Sequence, residues 1–254
     1  MIANFATRMR NGIQRVVAKE FARRPFEVSS ARPIISFTFD DFPTSALTTG
    51  GTILKSFGLS GTYYASLGLM GSTAPTGKIF QPEDLKPLLE QGHELGCHTF
   101  HHTHAGETAP DVFENEVIEN RRALAALVPN ARFATHSYPI GVPKARTKRR
   151  IEKYFSCCRC AGQAFNIGTV DLNYLSAFFI EKSRDNLQAI KDVVDQNQEA
   201  NGWLIFATHD VCGEPTRYGC TPELFQEIVH YSVDSGARIL PVSEAFHVLK
   251  SGNS

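Results

Sequence analysis

The chain has little of several things that would sort it into large classes. No apolar run approaches the roughly 20 residues that cross a bilayer. Charge of either sign is not in excess, since 26 Lys and Arg stand against 26 Asp and Glu in 254 residues. A balanced chain has no global field with which to gather nucleic acid, so that class is set aside. Cysteine is sparse, six in all, and three are crowded at Cys157, Cys158 and Cys160, a poor disulfide framework for this length. Paired CxxC halves of a structural zinc site are missing too. These thiols therefore read as core, with Cys158 and Cys160 pointing the same way from a strand, inward. Internal repeats and low-complexity linkers are lacking, and residues 25–254 read as one domain. With 42% hydrophobic and 20% charged residues, the composition is that of a globular protein.

The first 24 residues lack the unbroken apolar stretch of a secretory leader. Arg8, Arg10, Arg15, Lys19, Arg23 and Arg24 interleave instead with Ile2, Phe5, Met9, Ile13, Val16, Val17 and Phe21. Three- and four-residue steps between the apolar members predict an amphipathic basic helix over 1–24. Docking on the body of the protein or on a partner is expected, and contact with an anionic membrane surface is the alternative. The protein is expected in the cytoplasm, either free or peripheral on the inner membrane face.

Beyond that helix, short β-rich runs alternate with helical periods. Strands are expected at 33–39, 61–66, 94–99, 132–138, 155–160, 177–181, 203–208 and 238–241. Helices are expected from Thr44 or Ser45 to Phe57, and over 82–91, 112–128, 144–154, 184–199 and 222–235. In the 112–128 helix, Val112, Val117, Leu124 and Leu127 are expected to face the core while Glu114, Glu116 and Glu119 stay wet. Residues 70–77 read as a surface loop. Alternation of this length implies parallel pairing and a distorted (β/α)7-8 barrel with outer helices.

Polar residues gather where strands should end. The first strand runs into Asp40-Asp41, the 94–99 strand into His98-Thr99-Phe100-His101-His102, and the 203–208 strand into His209-Asp210. In a barrel, all C-terminal strand ends open on one face, so the three segments should converge. His98 and His102 at a four-residue spacing, plus one carboxylate, make a two-histidine, one-carboxylate set that suits a divalent metal. If Asp41 takes the metal, Asp40 is left as a general base, and His209 is the candidate acid for the leaving group.

With those runs, and with Ser137-Tyr138-Pro139-Ile140-Gly141, the chain from about Ile34 to Val248 resembles the polysaccharide deacetylases, carbohydrate esterase family four. The resemblance implies a metal-dependent deacetylase that uses a divalent metal, zinc or cobalt, held by Asp41, His98 and His102. It implies Asp40 as base, His209 as acid and the Ile140 backbone N–H as an oxyanion donor. Two departures stand out. The family's third motif carries an Arg that pairs with the base, and Ser137 occupies its place, which predicts a more easily protonated Asp40. The acid that orients the catalytic histidine in the fourth motif has only Asp171 as a candidate.

Phe42 and Tyr138 flank site motifs and are the expected aromatic surface for a sugar ring. The basic run Lys144 to Lys153 reads as a solvated face that can also meet a phosphate or an acidic sugar. His101, His104 and His136 lie nearby without an assigned job. The expected substrate is an N-acetylated sugar, a short oligosaccharide or a lipid-linked glycan intermediate. Two alternatives stand beside deacetylation: hydrolysis of another C–N bond such as a cyclic amide or imide, and sugar binding with little catalysis.

Overall fold

The computed structural model describes residue 12 and residues 14–252. Seven parallel strands form its centre: β1 (Ile34–Phe39), β2 (Thr62–Ala65), β3 (Glu94–Cys97), β4 (Thr135–Ser137), β5 (Cys157–Ala161), β6 (Leu175–Phe179) and β7 (Trp203–Thr208). Each pairs with the next, and β7 closes on β1 over its whole length, from Trp203 opposite Ile34 to Thr208 opposite Phe39. A two-residue β8 (Arg238–Ile239) pairs with β1 only at Ile34 and Ile35, on the edge that β2 takes at Thr38 and Phe39. The eighth strand is thus a fragment beneath β2, and the barrel closes with seven, as the strand–helix alternation predicts.

Around it lie α1 (Thr52–Ser56), α2 (Pro82–Glu90), α3 (Pro110–Leu127), α4 (Ala145–Ile151), α5 (Leu187–Ala200), α6 (Pro222–Asp234) and α7 (Val242–Gly252). The irregular turn Ala46–Gly51 leads into α1. None of the described helices is long and apolar enough to cross a membrane. A second small sheet, Pro25–Val28 antiparallel to Gly168–Asp171, and the helix α7 are elements the sequence pattern does not announce.

Strand parity divides the interior in two. Ile35, Phe37 and Phe39 of β1 point out to the helices, where Phe206, Phe225 and Tyr63 stack with them. Ile34, Cys157, Leu175, Ala177, Trp203, Ile205 and Ala207 point into the lumen, and Val242, Ala245, Phe246 and Leu249 of α7 plug its lower end. Each side is a separate apolar cluster, so every strand is buried on both faces and reads as a run rather than an alternation. Cys158 and Cys160 do share a face, but it is the helix-facing one, and Cys157 takes the lumen. Lumen packing leaves no room for side chains at Gly96, where a Cβ would sit 2.4 Å from the Tyr64 ring.

In α3 the buried stripe is Phe113, Val117, Asn120 and Leu124, not the one set by Val112 and Leu127, which are 48% and 42% exposed. Glu114, expected in water, is buried because Arg150, Lys153 and the Tyr154 hydroxyl gather on it from α4 and the turn that follows. Arg150 and Lys153 of the 144–153 run therefore serve the fold, while Arg146 and Arg149 are exposed. Lys148 is wholly buried and pairs with Asp171 at 2.6 Å.

Of the expected N-terminal helix, residues 14–20 are helical; residues 1–11 and 13 lie outside the described residues. This segment is held by polar bonds. Gln14 Nε2 donates to the Gly106 and Val142 carbonyls, and the Lys148 ammonium to those of Ala18 and Phe21. Val16 and Phe21 remain about 60% exposed.

Candidate metal and catalytic site

The C-terminal strand ends meet at a pocket of about 640 Å³. Asp40 and Asp41 from β1, His98 and His102 beyond β3, Arg159 from β5 and His209 beyond β7 all line it. Parity explains the delivery. Ser36, Thr38 and Asp40 share the lumen side of β1, and His209 continues the lumen register of Trp203, Ile205 and Ala207. Past Asp40 the chain turns through two left-handed residues, Asp41 (φ 60°) and Phe42 (φ 51°). Thr99 and His102 (φ 62° and 54°) repeat this conformation after β3, and Ile140 (φ 34°) after β4. Five of the nine non-glycine residues with positive φ among the described residues are therefore in the strand-end loops that build this pocket, and three of them, Asp41, His102 and Ile140, line it. Such conformations cost of order 1–3 kcal/mol each and persist where surroundings over-determine them.

The Asp41, His98 and His102 ligand atoms lie within 4.8 Å of one another. His98 Nε2 is 3.5 Å and His102 Nε2 3.1 Å from Asp41 Oδ1. That oxygen is buried and accepts no hydrogen bond, while Oδ2 accepts from the Thr76 hydroxyl at 2.9 Å. His98 Nδ1–H donates to the Ser137 carbonyl at 2.8 Å, which leaves the Nε2 lone pair turned to the site. Burial, with the His102 ring beside it, pushes His98 down to about 4, so the imidazole is neutral at pH 7. A buried carboxylate oxygen without a donor beside two imidazole nitrogens fits a divalent cation.

Asp40 is next to this set. Burial by itself would raise its pKa. The Arg159 guanidinium outweighs burial, with help from His98, His209 and the Ser137 hydroxyl, and holds the carboxyl below its ordinary value. Arg159 ion-pairs with Asp40 Oδ1, is 1% exposed and stacks over Tyr64 and Phe179, with its guanidinium carbon 4.7 Å and 5.7 Å from their ring centres. This corrects the expectation drawn from Ser137 that the base is easily protonated. Ser137 and Arg159 are register partners across β4 and β5, so the cation reaches Asp40 from one strand over. In sequence the only hint is an arginine inside a buried cysteine-rich strand.

His209 Nδ1 hydrogen-bonds to the Tyr218 carbonyl at 3.1 Å, which leaves Nε2 for the pocket. Asp171 does not reach it. That carboxylate precedes β6, at the opposite end of the barrel from His209, and accepts from Lys148 and from the Arg24 and Asn173 N–H groups. The acid that does neighbour His209 is Glu181, beyond the C-terminal end of β6. Burial raises its pKa to about 7, although the His209 ring draws it down, and Oε2 is buried without a partner. Its position just past a barrel strand was the available signal.

Among the expected substrate contacts, Ile140 lies exposed on the pocket rim and Tyr138 lines the wall. Phe42 does not line the pocket. Its left-handed backbone turns the ring under β1, where it is fully buried and stacks on Phe80 at 4.4 Å. The 70–77 loop is a wall of the pocket rather than mere surface, from Ser72 to Thr76. His136 is packed between Phe155 and Tyr138.

Comparison with known proteins agrees with this arrangement. A family model described as polysaccharide deacetylase matches residues 27–155. A peptidoglycan-N-acetylglucosamine deacetylase from Bacillus cereus is 26% identical over 98 residues, 38% of this chain and 42% of its own length. The match thus spans less than half of that relative. A family 4 acetyl xylan esterase from Clostridium thermocellum, solved with a cobalt ion, superposes with a TM-score of 0.60 at 16% identity, covering 85% of this chain and 91% of that one. A family 4 carbohydrate esterase from Bacillus subtilis gives 0.58 at 14%, covering 90% and 86%. At such identities the structural likeness establishes the fold.

Proposed function

We propose, from the premise that this chain belongs to the polysaccharide deacetylase family, that it hydrolyses the acetyl group of an acetylated carbohydrate. The observation that carries the proposal is the unpartnered Asp41 Oδ1 facing His98 and His102 on the floor of the pocket that also holds the Asp40–Arg159 pair. Asp41, His98 and His102 would hold a divalent metal, which when bound supplies Lewis-acid activation of water and of the carbonyl. Asp40, kept ionised by Arg159, takes the proton of the attacking water. His209 Nε2 delivers a proton to the departing nitrogen or oxygen, with its ring fixed through Nδ1 by the Tyr218 carbonyl. The Ile140 N–H on the rim faces the oxyanion.

Zinc is the proposed metal, with cobalt a working substitute, and N-acetylglucosamine within a short oligosaccharide or lipid-linked glycan is the proposed sugar. The six cysteines, none of them bridged, support a reducing compartment, the cytoplasm. Exposed Val16 and Phe21 beside Lys19 and Arg23 support contact of residues 1–24 with an anionic membrane surface. Acetate release from a panel of acetylated glycans, with metal content measured on the same sample, tests the whole reading. One metal per chain and chelator-sensitive release are expected, and full turnover in the presence of chelator would sink it.

A further inference from the structure

One exposed ring at the pocket mouth is held far more firmly than its exposure requires. The His101 side chain is 57% exposed, yet its Nδ1–H donates to Glu116 Oε1 at 3.0 Å and its backbone N–H to Oε2 at 2.8 Å. The Phe100 ring packs against it edge-on, with centroids 4.6 Å apart. Glu116, on α3, is mostly buried. Burial raises its pKa, but the bonds from His101 and the Thr103 hydroxyl outweigh that and keep it ionised. In the neutral ring a carboxylate on Nδ1 selects the tautomer whose lone pair is on Nε2. His101 lines the same pocket as the metal set and His209. Fixing an exposed side chain costs rotamer entropy and gains little burial. A pre-oriented acceptor repays that cost when a ligand donates to it.

We propose that His101 is a substrate-positioning residue whose Nε2 accepts a hydrogen bond from a hydroxyl of the bound sugar, a role that rests on the carbohydrate deacetylase reading above. Glu116 acts through it by holding the ring. Together with Glu119, these residues are also near enough to share a cation. Both Glu116 oxygens, however, accept from His101, one from its ring and one from its backbone, which favours the hydrogen-bonding role.

Kinetics on N-acetylated chitooligosaccharides, with metal analysis of each variant, test it. His101→Ala is expected to raise KM about 5- to 10-fold, the worth of one hydrogen bond, with kcat within about twofold and one metal still bound. Glu116→Ala should raise KM in the same direction. An unchanged KM would overturn the proposal. So would loss of the site metal in His101→Ala, or two metals in the wild type and one in that variant. If the wild type releases no acetate, the deacetylase reading fails, and His101 is judged by imidazole ¹⁵N resonances during titration with the same oligosaccharide. A shift of the Nε2 signal that is missing from His101→Ala supports the role; an unmoved signal refutes it.

Discussion

Replacing Arg159 with Met would leave Asp40 buried with no cation, so burial would dominate its titration. The proposed base role of Asp40 requires its ionised form, so activity is expected to fall as pH drops through its pKa. The acidic limb of kcat/KM should therefore move to higher pH. An unpaired buried carboxylate should also cost about 3–5 kcal/mol at pH 7, with part recovered in acid, as a denaturant series at two pH values would read. Glu181 carries the opposite sign. It titrates at about 7 in the folded chain against an ordinary 4.5. The folded state thus holds a proton that the unfolded state has released, and stability is full below 4.5 and declines as pH rises through 7. Glu181→Gln should remove that decline, on the order of 3 kcal/mol. Parallel pH–stability curves for wild type and variant would refute the assignment.

Among the elements, α3 shows how narrowly a helical period fixes a face. Phe113, Val117, Asn120 and Leu124 follow steps of four, three and four, and Asn120 bonds the Leu67 N–H and the Ala65 carbonyl beneath the helix. The expected stripe shares Val117 and Leu124 with this one and differs in taking Val112 and Leu127 where the structure buries Phe113 and Asn120. What selects Phe113 is its fit against His136 and Tyr138. Phe113→Ala should cost about 3–5 kcal/mol, whereas Val112→Ala should fall within about 0.5 kcal/mol. Chemical denaturation of the two variants distinguishes the stripes, and equal losses would reject this packing.

At the scale of the whole molecule, the N-terminal segment is stitched to the barrel rather than buried in it. Lys148 is one of several stitches, its ammonium satisfying two carbonyls of the segment and the Asp171 carboxylate, beside those made by Gln14 and the Arg24 guanidinium. Lys148→Met should leave the buried Asp171 carboxylate without its cation and loosen the 18–21 part of the segment. About 3–5 kcal/mol of stability should be lost, together with faster proteolysis before residue 25. A variant as protease-resistant as the wild type would show that other contacts hold the segment.

Much of this architecture was legible in the chain because it depends on local chemistry. Double-sided burial makes apolar runs of β1 and β7, and polar residues crowd at their ends where burial stops. The barrel, the pocket face and the convergence of Asp40, Asp41, His98, His102 and His209 follow from that pattern. What only the tertiary structure decided is which residues meet across strands. Arg159 reaches Asp40 from the strand beside Ser137 because inter-strand register pairs the two, and no spacing along the chain records that register. Asp171 and Glu181 are both acids near β6, yet strand direction sends one to the base of the barrel and the other to the mouth. Phe42 sits beside Asp40 and Asp41 and is nonetheless core, because a left-handed turn reverses its side chain. Sequence carries a residue's type and neighbours; direction and partner come from the closed sheet.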